Sequence, residues 1–578
     1  MKRQHSIAFS DSPLLTQRTP LWRSRFVVAG LALGFLGLVG RAAYVQIVDN
    51  AFIREQGDAR MQRTITLEPS RGRILDRNGL ILAASVPAFN FAIDNADPKH
   101  PAWPQVAKIL KRDAAGLRKL VSQRQGRGYT YVARPIDEDQ GLAIAELNIP
   151  GVRLKPTYKR VYPEGAATAH VVGFTNVDNA GQEGIELAFD EVLSGHAGSR
   201  RVIKDRLGRA VEEVNEIIPP VNGRDVQLTL DSKIQFFAYD RIRAAVREHQ
   251  AKAGSIVVLD AQNGDILALT NYPSFDPSDR STMRGPGLRN RAVTDAFEPG
   301  STMKPLAIAA ALANGAVTPE TRFNTAPGHM YIGRSRISDT HPHGVLSVAD
   351  IIQVSSNVGT VKVAERISAQ AMWDAYTAVG LGQRPSLPMS GISRGSLRDP
   401  KTWREVEKAT MSYGYGLSVS LLQLARAYTV FASDGHVDRV HLIKTDHPGT
   451  GPQVFSPQVT QQVRQMLARA TGDEGTAPKA QALGYSVGGK TGTAHKTEGG
   501  RYAEKRYRGV FVGLAPIEQP RIVVAVMIDE PRGKVYYGGL TAAPVFAETV
   551  QQALRIMGVP PDVNVKPNIH AQGVEEST

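Results

Sequence analysis

Three short motifs, in one order along the chain, carry residue types that can perform acyl transfer. They are Ser301-Thr302-Met303-Lys304, Ser355-Ser356-Asn357 and Lys490-Thr491-Gly492-Thr493. A lysine three residues after a serine on a helix shares its face, so the amine can take the hydroxyl proton and leave a nucleophilic alkoxide. The second motif adds a hydroxyl and a side-chain amide. The third adds a cation, hydroxyls for a carboxylate, and a glycine that lets a substrate backbone approach. Together they predict a serine acyltransferase.

The composition is that of a folded protein of several domains. The 578 residues carry a net charge of +14 and no cysteine. The absence of cysteine excludes thiol catalysis, disulfides and cysteine-ligated metal sites. The positive charge could indicate nucleic acid, but an exported topology and the absence of a nucleic-acid fold signature argue against it.

An apolar stretch at residues 26–48 predicts a transmembrane helix. At about 1.5 Å per residue it reaches roughly 35 Å, enough for a bilayer core of about 30 Å. Basic residues precede it, so residues 1–25 should be a cytoplasmic tail and the rest should be exported. A cleaved signal peptide is the alternative, but Gly40-Arg41-Ala42 is a poor cleavage site. We expect an uncleaved anchor, with Arg41 contacting another membrane protein.

Beyond the anchor, residues 50–225 have the pattern of an accessory module of short strands and loops. Asn78-Gly79 predicts a tight hairpin there. A short basic cluster of Lys155, Lys159 and Arg160 is best interpreted as a solvated face.

Residues 226–558 have the pattern of an α/β domain, in which a sheet is followed by helices and then by further strands. Strands are predicted at 255–259, 266–270, 510–514 and 522–528, and helices at 234–246 and from 301. Pro299-Gly300 places Ser301 at a helix N-terminus, where the dipole favours negative charge. Residues 347–350 resemble a capping box for a helix that ends at the second motif. The polar tail, 559–578, is predicted to be disordered.

Three other motifs are formal matches that their context disfavours. Residues 484–491 fit the nucleotide phosphate-loop pattern, but a strand does not precede them and Gly492 breaks any helix after them. His341-Pro342-His343 could suggest zinc, but no third ligand is evident. Residues 391–395 and 484–488 fit a hydrolase nucleophile elbow without its strand-to-helix context. No cofactor and no metal are predicted.

The three ordered motifs resemble those of the penicillin-interacting serine enzymes. With the anchor, the 72–79 segment and Gly184-Ile185-Glu186-Leu187, the chain resembles a class B penicillin-binding protein over nearly its full length. This implies a membrane-anchored, multidomain α/β fold. A mostly β or α+β pedestal would precede a transpeptidase domain whose antiparallel sheet is covered by helices. Ser355-Ser356-Asn357 and the 413–418 segment resemble the division-specific member of the family.

The resemblance implies a peptidoglycan D,D-transpeptidase that forms an acyl-enzyme. Ser301 would attack the penultimate D-Ala carbonyl of a donor stem peptide, and Lys304 would accept its proton. Ser355 would relay a proton to the leaving amine, Asn357 would bind the donor amide and steady Lys304, and Lys490 would depress the pKa of Lys304. An acceptor amine would then resolve the acyl-enzyme.

The third motif and three tyrosines would bind the substrate. Thr491 and Thr493 would hold the terminal carboxylate beside Gly492. The backbone amides of Ser301 and Thr493 would form the oxyanion hole. The tyrosines, which are equally compatible with core positions, are Tyr415, Tyr536 and Tyr537. His495, where relatives often carry Arg or Lys, would weaken carboxylate contacts, for which Lys496 could compensate.

The resemblance also implies partners and a location. The implied partners are peptidoglycan stem peptides on lipid-linked or nascent strands, β-lactam antibiotics, and a membrane glycosyltransferase with division proteins at the septum. The protein would be a single-pass inner-membrane protein with a periplasmic catalytic domain. A D,D-carboxypeptidase or β-lactamase with the same nucleophile remains an alternative, although no Glu-x-x-Leu-Asn segment follows the second motif. A non-catalytic division scaffold or β-lactam sensor is the alternative of a different class.

Overall fold

The computed structural model describes residues 20–47, 62–204, 210–446, 450–498, 501–533 and 535–564. Helix α1, Leu21–Ile47, is apolar and, by length and composition, able to cross a membrane. It begins five residues before the predicted span. Most of the predicted cytoplasmic tail and residues 565–578 of the predicted disordered tail lie outside the described residues. The chain divides into two compact units, 1–68 with 197–221 and 69–196 with 222–578.

The accessory region alternates short strands with short helices. Its strands are β1 Gln62–Leu67, β2 Ile74–Leu75, β3 Ile81–Ile93, β4 Thr130–Asp137, β5 Val152–Val161, β6 Phe174–Thr175, β7 Gly181–Glu183, β8 Gly198–Lys204, β9 Ala210–Ile218 and β10 Val226–Gln227. Its helices are α2 Trp103–Ile109, α3 Ala114–Gln123, α4 Glu138–Glu146, α5 Ala169–Val172, α6 Gly184–Ala188 and α7 Asp190–Ser194.

The sequence interpretation of this region as strands and loops missed helices α2, α3 and α4. Two of them carry a start signal in the sequence. Asp113 caps α3 by accepting from the Gly116 amide, and Asp137 forms a capping box with Gln140 at the start of α4. Such caps supply partners for the first amides of a helix, which have none within it.

Each unit contains a sheet from this region, antiparallel in the first unit and mixed in the second. In the first unit the strand order is β1-β8-β9. In the second unit β3 pairs with both β4 and β5, and β2 pairs with β3 and, in parallel, with β10. The predicted hairpin between β2 and β3 is confirmed. Gly79 has a φ of 86°, and one Asp76 carboxylate oxygen accepts from the amides of Asn78 and Leu80 at 2.8 Å each.

The basic cluster of the accessory region is not simply a solvated face, and that interpretation was wrong for Arg160. Its side chain is 2% exposed, and its Nε donates to Glu186 at 2.6 Å. The second Glu186 oxygen accepts from the buried Arg71 at 2.6 Å. Lys159, by contrast, is partly exposed and pairs with Asp137. Arg71 also pairs with Asp190, at 2.7 Å, whereas the buried Arg160 depends on Glu186. Loss of the Glu186 carboxylate would therefore leave buried positive charge without its partner, which is costly.

The C-terminal region contains the larger sheet and most of the helices. Its helices are α8 Ser232–Glu248, α9 Arg291–Thr294, α10 Lys304–Ala313, α11 Val348–Val354, α12 Asn357–Ala364, α13 Ala369–Ala378, α14 Glu405–Ser412, α15 Leu421–Ala432, α16 Pro457–Thr471, α17 Gly538–Thr541 and α18 Ala543–Ile556. Its strands are β11 Ala253–Asp260, β12 Ile266–Tyr272, β13 Arg322–Asn324, β14 His329–Ile332, β15 Ser335–Ser338, β16 Val345–Ser347, β17 Gly488–Glu498, β18 Arg501–Ala515 and β19 Ile522–Asp529.

The central sheet is antiparallel, with the strand order β12-β11-β19-β18-β17. Every residue of β11 and β19 is buried. Alternate residues of a strand face opposite sides of the sheet. Accordingly, Ile256 and Val258 pack in one core with α8 and α18, while Val257 and Leu259 pack in another with α10, α15 and α16. The predicted fold class, an antiparallel sheet covered by helices, is confirmed.

Strand β17 also decides against the phosphate-loop interpretation. The strand occupies Gly488–Glu498, so residues 484–491 lead into an edge strand of the sheet. A phosphate loop must instead lead into a helix whose N-terminus faces the phosphates. The pattern at 484–491 is therefore a chance match.

Candidate active site

Ser301 lies in a tight turn immediately before a buried helix. The turn is a 3-10 segment, Gly300–Met303, and α10 begins at Lys304. The sequence placed Ser301 in the first turn of the α-helix, so the expectation was right about the location and wrong about the type of turn. Residues i and i+3 eclipse one another in a 3-10 turn, which brings serine and lysine onto one line. Gly300 has a φ of 57°, a conformation that suits glycine.

Three hydrogen bonds hold this turn in place. Thr302 Oγ1 donates to the Pro299 carbonyl at 2.8 Å, and the fully buried Tyr428 hydroxyl donates to the Thr302 carbonyl at 2.7 Å. The Gly300 amide donates to the Gly414 carbonyl at 3.1 Å. The backbone on both sides of Ser301 is thus fixed by groups from elsewhere in the domain.

Lys304 is buried and contacts the second motif directly. Its Nζ donates to the Ser355 carbonyl at 2.5 Å and to Ser355 Oγ at 3.1 Å. Burial, and then the positive charge of Lys490, hold the pKa of Lys304 well below its usual range, while Asp339 opposes the shift. A lysine in this condition can be a neutral amine at physiological pH and can accept a proton.

Ser355 is placed by the end of one helix and the start of the next. It caps the C-terminus of α11 in the left-handed conformation, with a φ of 62°. Ser356 then caps α12 by accepting from the Gly359 amide at 2.9 Å. The capping box predicted at the start of α11, between Ser347 and Asp350, is confirmed. The sharp reversal between the two helices is what turns Ser355 toward Lys304.

Asp339 fixes the rest of the second motif and was not singled out from the sequence. Its carboxylate accepts from Ser356 Oγ at 2.7 Å and from the amides of Asn357 and Val358 at 2.5 and 2.9 Å. Asn357 does not steady Lys304 as expected. Its Nδ2 donates to the Ser338 carbonyl at 2.8 Å instead, because Asp339 and the end of β15 hold the start of α12.

The third motif lies on edge strand β17. Lys490 is fully buried, and burial lowers its pKa to about 7. Its Nζ lies 3.3 Å from Thr491 Oγ1. Thr493 Oγ1 accepts from the Gly538 amide at 3.1 Å, so its own proton stays available for a ligand oxygen. Of the predicted residues, Lys304, Ser355 and Lys490 are thus brought together.

Gly492 makes a close approach, but to the protein's own backbone. A Cβ at this position would lie 2.7 Å from the Pro299 carbonyl oxygen and 3.0 Å from the Thr302 side chain. The sequence analysis assigned this glycine to the passage of a substrate backbone. The structure shows that it lets the nucleophile turn pack against β17.

The three predicted tyrosines lie in two places beside β17. Tyr415 donates to the Thr493 carbonyl at 3.4 Å. Tyr536 stacks between Tyr507 and Tyr537, with ring centroids 4.2 and 4.4 Å away. Tyr537, 47% exposed, directly precedes the helix α17 amide that contacts Thr493. None of the three tyrosines is a core residue, because each is partly exposed.

Lys496 does not compensate for His495. The Lys496 amine pairs with the carboxylates of Asp529, at 3.3 Å, and of Glu530. Asp529 ends β19, which lies on the other side of β18, and Glu530 follows it, so these two acids already pair with the charge of Lys496. His495 is exposed and packs against Tyr507, with ring centroids 4.7 Å apart.

Two family models match the chain. Residues 254–551 match the penicillin binding protein transpeptidase domain, and residues 66–228 match the penicillin-binding protein dimerisation domain. The chain belongs to the class B penicillin-binding proteins. The predicted enzyme class, a serine-type D-Ala-D-Ala transpeptidase, is confirmed with the family.

Curated relatives extend the similarity over most of the chain. The probable peptidoglycan D,D-transpeptidase PenA of Neisseria meningitidis is 41% identical over 545 residues, covering 93% of each chain. The peptidoglycan D,D-transpeptidase FtsI of Escherichia coli K12 is 36% identical over 552 residues, covering 94% of this chain and 93% of that one. Together with α1, this membership of the class B penicillin-binding proteins indicates a single-pass inner-membrane protein.

Solved structures agree with this fold. The apo transpeptidase domain of Burkholderia pseudomallei penicillin-binding protein 3 is 47% identical, with a TM-score of 0.55, and covers 58% of this chain and 98% of that one. A peptidoglycan synthetase from Bifidobacterium adolescentis has a TM-score of 0.69 and covers 88% of this chain and 98% of that chain. At 24% identity, this second match shows the shared fold alone.

Proposed function

We propose that this chain cross-links peptidoglycan stem peptides through an acyl-enzyme on Ser301. The observation that carries the proposal is the buried Lys304 amine, which lies 3.1 Å from Ser355 Oγ and beside the charge of Lys490. Without that environment a lysine would be protonated at neutral pH and could not act as a base.

In the first step Ser301 Oγ attacks the penultimate D-Ala carbonyl of the donor, and Lys304 takes the hydroxyl proton. Negative charge develops on the carbonyl oxygen, where the amides of Ser301 and Thr493 stabilise it. Ser355, hydrogen-bonded to Lys304, passes the proton to the amine of the leaving D-Ala. An acceptor amine then attacks the ester, releases Ser301 and forms the cross-link.

The third motif positions the donor. The terminal carboxylate of the donor peptide binds the hydroxyls of Thr491 and Thr493, in the positive potential of Lys490. The Gly538 amide orients Thr493 Oγ1 for this purpose, because it occupies an acceptor position and leaves the proton. Asn357, held at Nδ2 by Ser338, offers its Oδ1 to a donor peptide N–H.

The location we propose is the division septum, with the N-terminus in the cytoplasm and the catalytic domain in the periplasm. Basic residues before α1 support this orientation by the positive-inside rule. The relative FtsI supports the septal assignment. A membrane glycosyltransferase and division proteins are the partners we propose, with Arg41 of α1 as one contact.

The test is intact-mass analysis of the full-length protein in detergent after exposure to benzylpenicillin. We expect a long-lived adduct of one drug molecule in the wild type, and none in Ser301→Ala. Lys304→Ala should form the adduct far more slowly. Rapid loss of the adduct with release of hydrolysed drug would indicate a β-lactamase. A folded wild type that never forms an adduct would refute Ser301 as the nucleophile.

A further inference from the structure

Half of the net positive charge of the chain lies in one short segment of the accessory region. Residues 99–127, which we term the basic segment, contain eight lysines and arginines and one acid, Asp113. Their net charge is +7, against +14 for all 578 residues. The catalytic mechanism uses none of these residues. The eight cations are Lys99, Lys108, Lys111, Arg112, Arg118, Lys119, Arg124 and Arg127.

The fold turns these side chains outward. The segment contains α2 and α3, whose apolar residues join a buried core with β3 and β4. On α3, Leu117 and Val121 are buried in this core, and Arg118 and Lys119 lie exposed outside it. Seven of the eight cations are exposed, and Arg124 is partly buried. The packing that buries the apolar side of the helices thus collects the charge on the surface.

No carboxylate neutralises this surface within the part of the chain that the structure describes. Asp113 caps α3, where it accepts from the Gly116 amide at 2.6 Å. Arg112 and Arg124 donate to backbone carbonyls of β4. None of the eight side chains forms an ion pair with a described residue. Because like charges on one surface repel one another, a bound anion would relieve that repulsion.

An aromatic pair lies at the end of the basic segment. Tyr129 is 49% exposed, and its ring meets that of Tyr131 edge to face, with centroids 5.3 Å apart. Arg124, at the end of α3, donates to the Tyr131 carbonyl and so joins the pair to the basic surface. An exposed aromatic ring offers a flat apolar face, which a sugar ring can cover. Cations beside such a face suit an anionic polymer with a sugar backbone.

The chemistry of the enzyme's own substrate matches this surface. Arginine presents paired N–H donors that fit a carboxylate. Each uncross-linked stem peptide ends in a carboxylate, so a glycan strand that bears stem peptides carries carboxylates at regular intervals. The basic segment and Ser301 belong to the same compact unit of the chain. A strand held at the segment would stay attached to the unit that cross-links it.

We propose that the basic segment binds the glycan strands of peptidoglycan through the carboxylates of their stem peptides. The proposal rests on the proposed function for the polymer and for the periplasmic location. It involves no residue of the active site, so strand binding at the segment and acylation at Ser301 are separate properties.

The experiment measures strand binding by the full-length protein in phosphatidylcholine nanodiscs. The probe is fluorescently labelled, uncross-linked glycan strands with stem peptides, and its anisotropy is followed after the protein has been treated with benzylpenicillin. The comparison probe is the same strands with their carboxylates converted to amides by ammonia and a carbodiimide. The variant is Arg118→Gln with Lys119→Gln. The matched control is Lys233→Gln with Arg247→Gln, which removes an exposed lysine and an exposed arginine from α8.

We expect the wild type to bind the carboxylate-bearing strands at least tenfold more tightly than the amidated strands. The Arg118→Gln, Lys119→Gln variant should bind about 25-fold more weakly than the wild type, because each cation near an anionic surface contributes about fivefold. The control variant should stay within about twofold of the wild type. Added salt should weaken binding by the wild type more than binding by the Arg118→Gln, Lys119→Gln variant.

Three outcomes would overturn the proposal. The first is a wild type that binds amidated strands equally well, a result that needs no variant to fold. The second is full strand affinity in the Arg118→Gln, Lys119→Gln variant. The third is a wild-type nanodisc that co-sediments with phosphatidylglycerol vesicles but does not bind strands, which would assign the segment to anionic lipid.

The rate of acylation by benzylpenicillin separates this proposal from the function beneath it. The Arg118→Gln, Lys119→Gln variant should acylate at the wild-type rate, which also shows that it is folded. If the wild type does not react with benzylpenicillin, the transpeptidase function fails. If the wild type reacts normally and shows no preference for carboxylate-bearing strands, only the role of the basic segment fails.

Discussion

Two glycines of one loop, Gly414 and Gly416, give a sharp test of how the nucleophile is held. Both have positive φ, 88° and 80°. A Cβ at Gly414 would lie 2.0 Å from the Gly300 carbonyl oxygen, whereas a Cβ at Gly416 would meet nothing closer than 3.7 Å. Substitution by alanine therefore imposes the same conformational penalty at both positions, about 1–2 kcal/mol, and a backbone collision at only one of them.

The collision sets the size of the expected effect. Real Cβ atoms essentially never come within 3.0 Å of another heavy atom, so Gly414→Ala must displace the Gly300 carbonyl by about 1 Å. Gly300 immediately precedes Ser301, and a displacement of about 1 Å at a reacting group can lower a rate about 100-fold. Gly416→Ala should carry the same conformational penalty without this displacement.

The assay is the second-order rate of acylation by a fluorescent penicillin, with thermal unfolding of both variants measured in parallel. We expect Gly414→Ala to acylate about 100-fold more slowly than wild type, and Gly416→Ala to remain within about threefold. If both variants unfold at similar temperatures and acylate at similar rates, the contact between Gly414 and Gly300 does not hold Ser301 in place.

Three further predictions concern buried charges. Lys490→Met should raise the pKa of Lys304, because it removes a nearby positive charge. The acid limb of the plot of acylation rate against pH should therefore move to higher pH. An unmoved limb in a folded variant would contradict an electrostatic interaction between Lys490 and Lys304. Because the pKa of Lys490 is about 7 in the folded state and 10.5 ordinarily, the folded state binds fewer protons between these values, and stability should rise with pH across that window. Thermal unfolding measured across this pH range should show a smaller rise in stability for Lys490→Met than for the wild type. Glu186→Leu should cost about 3–5 kcal/mol, because it leaves the buried Arg160 without its carboxylate and leaves Arg71 with Asp190 alone. Asp178→Ala, at a more exposed pair, should cost at most about 1 kcal/mol, and equal midpoints in urea unfolding would refute the difference.

The residue types of the three motifs and their order were sufficient to predict the enzyme class and the family. Hydrophobic pattern and turn chemistry were sufficient for the membrane-length helix, the hairpin at Asn78-Gly79 and the central strands, because each of these depends on neighbours in the chain. The same local signals were present at Asp113 and Asp137, where caps begin helices that the sequence analysis missed.

Only the tertiary structure decided how the site is assembled. Asp339 lies 16 residues before Ser355, and nothing in its local sequence indicates that its carboxylate would accept from two donors of the second motif and from the Val358 amide that follows it. The pairing of Lys496 with two strand-end acids, and the burial of Arg160, are likewise contacts between distant segments. The lowered pKa of Lys304 has the same origin. A chain pattern states which groups are present, but the packing of helices and strands decides which of them lose water and which charges then lie side by side.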